Sequence, residues 1–108
     1  MLRHAGQVLL ERRPSPGIWG GLWSFPEANG NDVERDCRAL GYSVRSKREL
    51  DTIEHGFTHF RLTIRPVLCE VSATAARAEM PGRLWLDIGE AGNAATPAPV
   101  KKLLETFT

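Results

Sequence analysis

A change of parity in the middle of the chain constrains its path more than any other feature. Ile53, His55, Phe57 and His59 occupy odd positions, whereas Phe60, Leu62 and Ile64 occupy even ones. Successive side chains of a strand point to opposite faces, so a change of parity requires an extra residue, a bulge or a turn. Periodicity therefore predicts that the chain turns between Phe57 and Phe60. The turn would carry two bulky rings around a hydroxyl, Phe57-Thr58-His59.

The flanking segments supply the rest of a small sheet. Residues 43–53 are polar and basic with sparse alternation and predict a strand running toward the turn. Residues 60–71 give the strongest strand pattern, and Pro66 confines it to an edge or a bulged position because proline donates no ladder hydrogen bond. Residues 6–13 read as a strand with a buried centre, Val8-Leu9-Leu10. Residues 14–26 are punctuated by prolines and glycines and end in a short apolar strand through Trp23 and Phe25. Residues 83–88 read as another short strand, and residues 72–82 as a surface connection.

Two helices are predicted. In residues 31–42, Asn31 or Asp32 suits the N-cap, Val33, Cys37 and Leu40 recur at helical spacing, and Gly41 stands where a helix stops. In residues 96–107, Pro99 suits the first turn, and Val100, Leu103, Leu104 and Phe107 share a face. Strands interleaved with two helices predict an α/β or α+β sandwich, with helices covering a mixed sheet. No repeat and no second domain is visible, so residues 1–108 read as one domain. The abrupt start, with almost nothing before the first apolar run, reads as a piece of a longer protein.

Bulk properties narrow the function. At 42% hydrophobic and 25% charged residues, the composition is that of a folded globular domain rather than a disordered one. The formal net charge is +1, so any binding to nucleic acid has to come from a local patch. Cys37 and Cys69 are far apart, without metal-ligand spacing or a disulfide framework, which makes a reducing cytosolic setting the default. No apolar run approaches the roughly 20 residues of a membrane span, and the start lacks a signal-peptide pattern.

Several residues invite a functional reading beside a plain one. Arg45, Lys47 and Arg48 form the densest basic run, and Arg61 and Arg65 follow the turn on the polar parity. These cations suit phosphate neutralisation, and equally a solvated strand face. Arg12 and Arg13 could contribute near the same end. Trp19, Trp23 and Trp85 could stack on bases, although large aromatics at such spacing more often anchor a core or a loop; Trp19, among glycines, is the one expected to be exposed. His55 reads as a strand histidine and Cys37 as helix core. Glu27, Asp32, Glu34 and Asp36 lack the spacing of a hard-cation site and read as charges near a helix N-terminus.

The segment LLERRP followed by GLWSFP resembles the strand-loop-strand entry of Nudix hydrolases. That family's catalytic box uses a Glu-Glu pair and further carboxylates to hold Mg²⁺ against a pyrophosphate. Here the residues after Pro26 are too few for the full box. If Leu40-Gly41-Tyr42 matches its end, the Glu-Glu pair falls on Arg38 and Ala39, which cannot coordinate Mg²⁺. Nudix-type nucleotide pyrophosphohydrolysis is the disfavoured alternative, and a pure protein-interaction domain is a third reading.

A Nudix-like shell with a lost box is similar to the C-terminal domain of MutY-type adenine DNA glycosylases. Four segments carry the resemblance in order: LLERRPSPGIWGGLWSFPE, HGFTHFRLTIRP, GRLWLDI and TPAPVKKLLETF. The resemblance implies a Nudix-like α/β/α sandwich, a mixed sheet with two flanking helices. It also implies a non-catalytic role in base-excision repair, the recognition of 8-oxoguanine opposite adenine in double-stranded DNA. Base excision would belong to an N-terminal catalytic domain carrying a helix-hairpin-helix element and an iron–sulfur cluster, which is absent here. No cofactor or metal is implied for residues 1–108, and the setting would be the bacterial cytoplasm, at the nucleoid. The family's recognition loop is usually Phe-Ser-His; the matching residues are Phe57, Thr58 and His59, with Thr58 keeping the hydroxyl and adding a methyl. The resemblance makes these three the base-recognition residues, and Arg45, Lys47, Arg48 and Arg61 the candidates for DNA-backbone contacts.

Overall fold

A computed structural model describes residues 1–28, 32–73 and 81–107. The chain opens with β1 (Leu2–His4) and β2 (Gln7–Arg12), joined by a tight turn in which Ala5 and Gly6 both take positive φ. β3 (Trp23–Ser24) follows a long loop, then α1 (Val33–Ala39) and β4 (Tyr42–Glu49). β5 (Ile53–Gly56) and β6 (Arg61–Ile64) form a hairpin, and β7 (Val67–Ala73) returns to the main sheet. β8 (Arg83–Asp87), the single turn α2 (Ile88–Ala91) and α3 (Ala98–Thr106) complete the fold.

The main sheet has six strands in the order β3-β2-β1-β7-β4, with β8 also pairing β2. Val8 is opposite both Arg3 of β1 and Leu86 of β8, so these strands flank β2 on its two edges. The β1–β7 pairing is parallel and the others antiparallel, which makes the sheet mixed as expected. β1 and the one-turn helix α2 escaped sequence reading because each is too short to show a period.

Both faces of the sheet are covered, and the strand alternation decides which residue goes where. Val8, Leu10 and Leu68 lie on one face with Val100, Leu103 and Leu104 of α3. Leu2, Leu9, Cys69 and Val71 lie on the other with Cys37 of α1. This explains the unbroken Val8-Leu9-Leu10 run: a strand buried on both sides has no position for a polar residue. Leu10 and Leu104 are 0% and 1% exposed, and each contributes roughly 2–3 kcal/mol by its burial.

Helix limits follow local chemistry. Asp32 caps α1, its Oδ1 accepting the Arg35 N–H at 3.0 Å. Gly41, just past the helix, takes φ +96, a left-handed position that glycine adopts without the steric cost of a Cβ. α3 begins with proline in its first turn and buries Pro99, Val100, Leu103 and Leu104.

Two strand expectations are corrected. Residues 43–53 do not form one strand: β4 stops at Glu49 and β5 starts at Ile53. Residues 60–71 likewise divide into β6 and β7 at Arg65-Pro66, and β7 is not an edge, since β1 and β4 flank it. The registers Glu49↔Val67 and Ile53↔Ile64 differ by one residue, so β5–β6 continues the β4–β7 ladder across a bulge. Pro66 sits in that bend, buried, its carbonyl accepting the Leu50 N–H at 2.9 Å. The final residue of the predicted strand 83–88, Ile88, instead starts α2. The surface connection predicted for residues 72–82 lies largely outside the described residues.

Candidate functional site

The β5–β6 hairpin carries the parity break. Ile53 pairs with Ile64 and His55 with Leu62, so the two parities meet on one face of a two-stranded ribbon. On the other face, Glu54 pairs with Thr63 and Gly56 with Arg61. The Phe57 N–H donates to the Phe60 carbonyl at 2.7 Å, closing the hairpin and leaving Thr58 and His59 at its tip. Both tip residues are exposed. Five steps of about 3.3 Å carry the chain roughly 16 Å from Ile53 to Thr58.

The rings around the tip form a packed column. Phe57 stacks on Phe60 with centroids 4.5 Å apart and planes 18° apart. Behind it, Trp19 lies 5.4 Å from Phe57 and 5.5 Å from His55, and His55 lies 4.8 Å from Phe57. Such offset and edge-on contacts are each worth on the order of 0.5–1.5 kcal/mol beyond area burial. Trp19 is thus half-buried rather than the exposed tryptophan the sequence suggested, because the hairpin folds back onto its loop. His55 is a member of the same cluster. The exposed ring at the tip is Phe60, at 46%.

The loop presenting Trp19 is bound tightly to β2. Arg13 N–H donates to Leu22 O, Gly21 N–H to Arg13 O, and Leu22 N–H to Trp19 O, at 2.8, 3.0 and 3.0 Å. Arg12 Nε donates to Gly21 O at 3.4 Å and Arg13 Nε to Ile18 O at 3.3 Å. The Arg13 guanidinium also pairs with Glu27. Arg12 and Arg13 therefore clasp the loop, a role the sequence alone did not reveal.

The other basic candidates divide into two groups. Lys47 pairs with Glu34 at 3.3 Å and Arg61 with Glu54 at 3.4 Å, all four side chains being more than half exposed. Arg45 and Arg48 are exposed and make no ion pair among the described residues, and the same holds for Arg65. Arg45 is the extra residue of a bulge, since Val44 is opposite Val71 and Ser46 opposite Glu70. β4 is the outer strand of the sheet, and charges there also block edge-to-edge pairing with another chain. Arg48 lies close to the hairpin base, opposite Leu68 and two residues before Leu50. Arg45 lies toward the far end of β4.

A cleft of about 450 Å³ runs beside the hairpin base, lined among others by Phe25, Cys37, Leu62, Pro66 and Val100. Asp36 also lines it, with its Oδ2 buried and without a hydrogen-bond partner among the described residues. The donor set does not suit the Mg²⁺ of Nudix chemistry. Asp32 caps α1 and Glu34 pairs with Lys47; of the two carboxylates that line the cleft, Glu27 is taken up by Arg13, which leaves Asp36. Among the described residues, no three His, Cys, Asp or Glu side chains converge on one point. Arg38 and Ala39, onto which the paired glutamates fall if Leu40-Gly41-Tyr42 matches the end of the box, are exposed and carry no carboxylate. Burial, reinforced by neighbouring Cys69, pushes the Cys37 thiol up to about 11.

Two residues of this site were not singled out from sequence for what they do here. Phe60 counted as a strand residue, although its place directly after Thr58-His59 marked it as part of the tip. The packing of Trp19 on Phe57 joins residues 38 positions apart and leaves no local signal.

The family model of the NUDIX domain matches residues 1–106, and the chain belongs to the NUDIX domain family. Its curated relatives include the adenine DNA glycosylase of Mus musculus, 30% identical over 112 residues, covering 93% of this chain and 21% of the mouse protein. The adenine DNA glycosylase of Buchnera aphidicola subsp. Schizaphis graminum is 24% identical over 116 residues, covering 99% of this chain and 32% of that protein. The chain thus spans between about a fifth and a third of the length of these relatives. Among solved structures, the C-terminal domain of mouse MUTYH, in complex with human PCNA, superposes with a TM-score of 0.72 at 23% identity, covering 98% of this chain and 81% of that one. The Nudix hydrolase RenU of M. smegmatis gives 0.62 at 16% identity, covering 99% and 79%. At these identities the structural likeness establishes the fold, a Nudix-type mixed α+β sandwich.

Proposed function

We propose that this chain is the lesion-recognition domain of a base-excision repair adenine DNA glycosylase, and that the Thr58 hydroxyl reads 8-oxoguanine opposite adenine. One observation carries the reading: Thr58 is exposed at the tip of a hairpin whose flanking rings are packed in place. The near-complete coverage of this chain by relatives named adenine DNA glycosylase supplies the context.

The chemistry requires a group that can both donate and accept. In 8-oxoguanine, N7 becomes a hydrogen-bond donor and C8 carries a carbonyl acceptor, a reversal that repels a fixed donor. A hydroxyl accepts from N7–H or donates to the carbonyl as the pose demands. One such contact supplies on the order of 1–3 kcal/mol of discrimination, enough to bias recognition but not to cleave a glycosidic bond. Excision, with its iron–sulfur cluster, belongs to a catalytic domain N-terminal to these residues. Its partner in recognition is double-stranded DNA carrying the 8-oxoguanine:adenine pair. Arg48, at the hairpin base, and Arg45 are exposed cations without an ion pair among the described residues and suit phosphates, with Lys47 and Arg61 available once their exposed carboxylate partners are displaced.

The test joins this domain to the catalytic domain and replaces Thr58 with Val or Ala. Thr58→Val keeps the shape and removes only the hydroxyl. The expected result is roughly a tenfold loss of preference for adenine opposite 8-oxoguanine over adenine opposite guanine. An unchanged ratio in both variants removes Thr58 as the reader. Mg²⁺-dependent release of pyrophosphate from an oxidised guanine nucleotide would favour the Nudix-hydrolase alternative.

A further inference from the structure

We propose that Phe60 is a base-stacking residue, offering the open face of its ring to a nucleobase beside the one that Thr58 reads. The inference rests on the reading of the hairpin as a DNA-contacting element and assigns it a second, chemically different contact.

The apolar stripe of β6 points to this role. Ile64 and Leu62 are half-buried against the body, whereas Phe60, next in the same stripe, is 46% exposed. A large ring left in water at a tip is unfavourable unless something covers it in use. Its orientation is already determined. The ring lies nearly parallel on Phe57, 4.5 Å away, and Trp19 and His55 hold Phe57 from behind. The Phe57–Phe60 backbone bond at 2.7 Å fixes the spacing of the two backbones from which the rings project. A ring fixed before binding loses little entropy when a base stacks on it. Phe57 itself is occupied by three neighbouring rings, so of the two phenylalanines at the tip Phe60 is the one with a free face. Every nucleobase has a flat π face, so this contact adds affinity with little sequence preference, while the Thr58 hydroxyl supplies discrimination.

The competing account is that Phe60 only shields Phe57. Leucine would shield equally well but has no π face, so Phe60→Leu separates the two roles and Phe60→Trp should restore stacking. The experiment uses this chain with duplexes containing 8-oxoguanine or guanine opposite adenine, with 2-aminopurine placed next to that position. Stacking on an aromatic ring changes the emission of this purine analogue. The wild-type chain should alter its emission and bind; Phe60→Leu should abolish the change and weaken binding to both duplexes roughly 5- to 100-fold. Phe60→Trp should recover both, and the thermal midpoint of Phe60→Leu should fall by only a few degrees, leaving the chain folded at the temperature of the assay.

Wild-type affinity and emission in Phe60→Leu overturn the stacking role. If Thr58→Val loses lesion preference in the same series, the broader reading survives that failure. If Thr58→Val keeps its preference while Phe60→Leu binds weakly, stacking stands and the hydroxyl reader falls. A wild-type chain that binds neither duplex overturns both.

Discussion

The indole of Trp19 packs 5.4 Å from the ring of Phe57, tilted by 47°, and through it the loop after β2 braces the β5–β6 hairpin. The hairpin has only its own two strands for a ladder, and such a ribbon is marginal in water without support. Two ring contacts from Trp19, to His55 and to Phe57, together with the Leu50–Pro66 backbone bond, provide that support.

Replacing Trp19 should therefore loosen the hairpin before it unfolds the sheet. Trp19→Ala is expected to destabilise the chain by about 1–2 kcal/mol, from two lost ring contacts and some buried area. Trp19 also has φ +53, a left-handed conformation that costs a non-glycine residue roughly 1 kcal/mol. Trp19→Gly should consequently be less destabilising than Trp19→Ala. Amide exchange would check this: the Phe57 N–H should exchange faster in both variants, while those of β2 keep their protection.

Removing the Asp32 cap should cost less and act elsewhere. Its Oδ1 satisfies the Arg35 N–H at 3.0 Å, and α1 is a single short helix over the Cys37 face of the sheet. Asp32→Ala is expected to lose about 1 kcal/mol in urea unfolding, and Asp32→Asn much less. A neutral result for both would mean that solvent already serves the first turn.

The core should respond more strongly. Leu10 and Leu104 meet in the α3-side core, and the space either leaves cannot collapse fully between a sheet and a helix. Leu10→Ala and Leu104→Ala are each expected to lose about 2–5 kcal/mol in denaturant unfolding. Because they share one cluster, the double variant should deviate from additivity.

Alkaline pH should weaken the chain through Cys37. Burial raises its thiol from 9.0 to about 11, so the folded chain holds a proton that the unfolded chain releases. The contribution to stability is complete below about pH 9 and falls as the pH climbs toward about 11. Cys37→Ala should flatten that part of the stability curve relative to wild type. At pH 8 the native thiol should resist iodoacetamide and react once the chain is unfolded.

If the hairpin meets DNA, the unpaired cations near its base should set the salt dependence. Arg48→Ala is expected to weaken binding to duplexes with and without the lesion alike, lowering the slope of log affinity against log salt by about 1. A change confined to the lesion-bearing duplex would place Arg48 at a base rather than at a phosphate.

Much of this molecule was legible residue by residue. The helix around Cys37 offers Asn31 or Asp32 as its cap and Gly41 as its stop, because capping is a contact between residues three or four apart. The turn between Phe57 and Phe60 shows as a parity break, because a pleated strand enforces alternation over neighbouring residues. The division at Pro66 was less clear: proline announces a fault in a ladder, but whether that fault is an edge, a bulge or a bend depends on the strands beside it.

The resemblance of LLERRP and GLWSFP led to the NUDIX domain family. If Leu40-Gly41-Tyr42 matches the end of the box, Arg38 and Ala39 stand where its chemistry needs carboxylates. What the tertiary structure decided was contact across distance. It placed Trp19 against Phe57, laid Arg12 and Arg13 along the loop carbonyls, and paired Lys47 with Glu34 and Arg61 with Glu54. It also left Phe60 in water beyond its half-buried neighbours Leu62 and Ile64. The reason is physical. Caps, turns and alternation are set by backbone geometry within a few residues, whereas exposure and partnership depend on how far the hairpin bends out of the sheet, which only the packed chain determines.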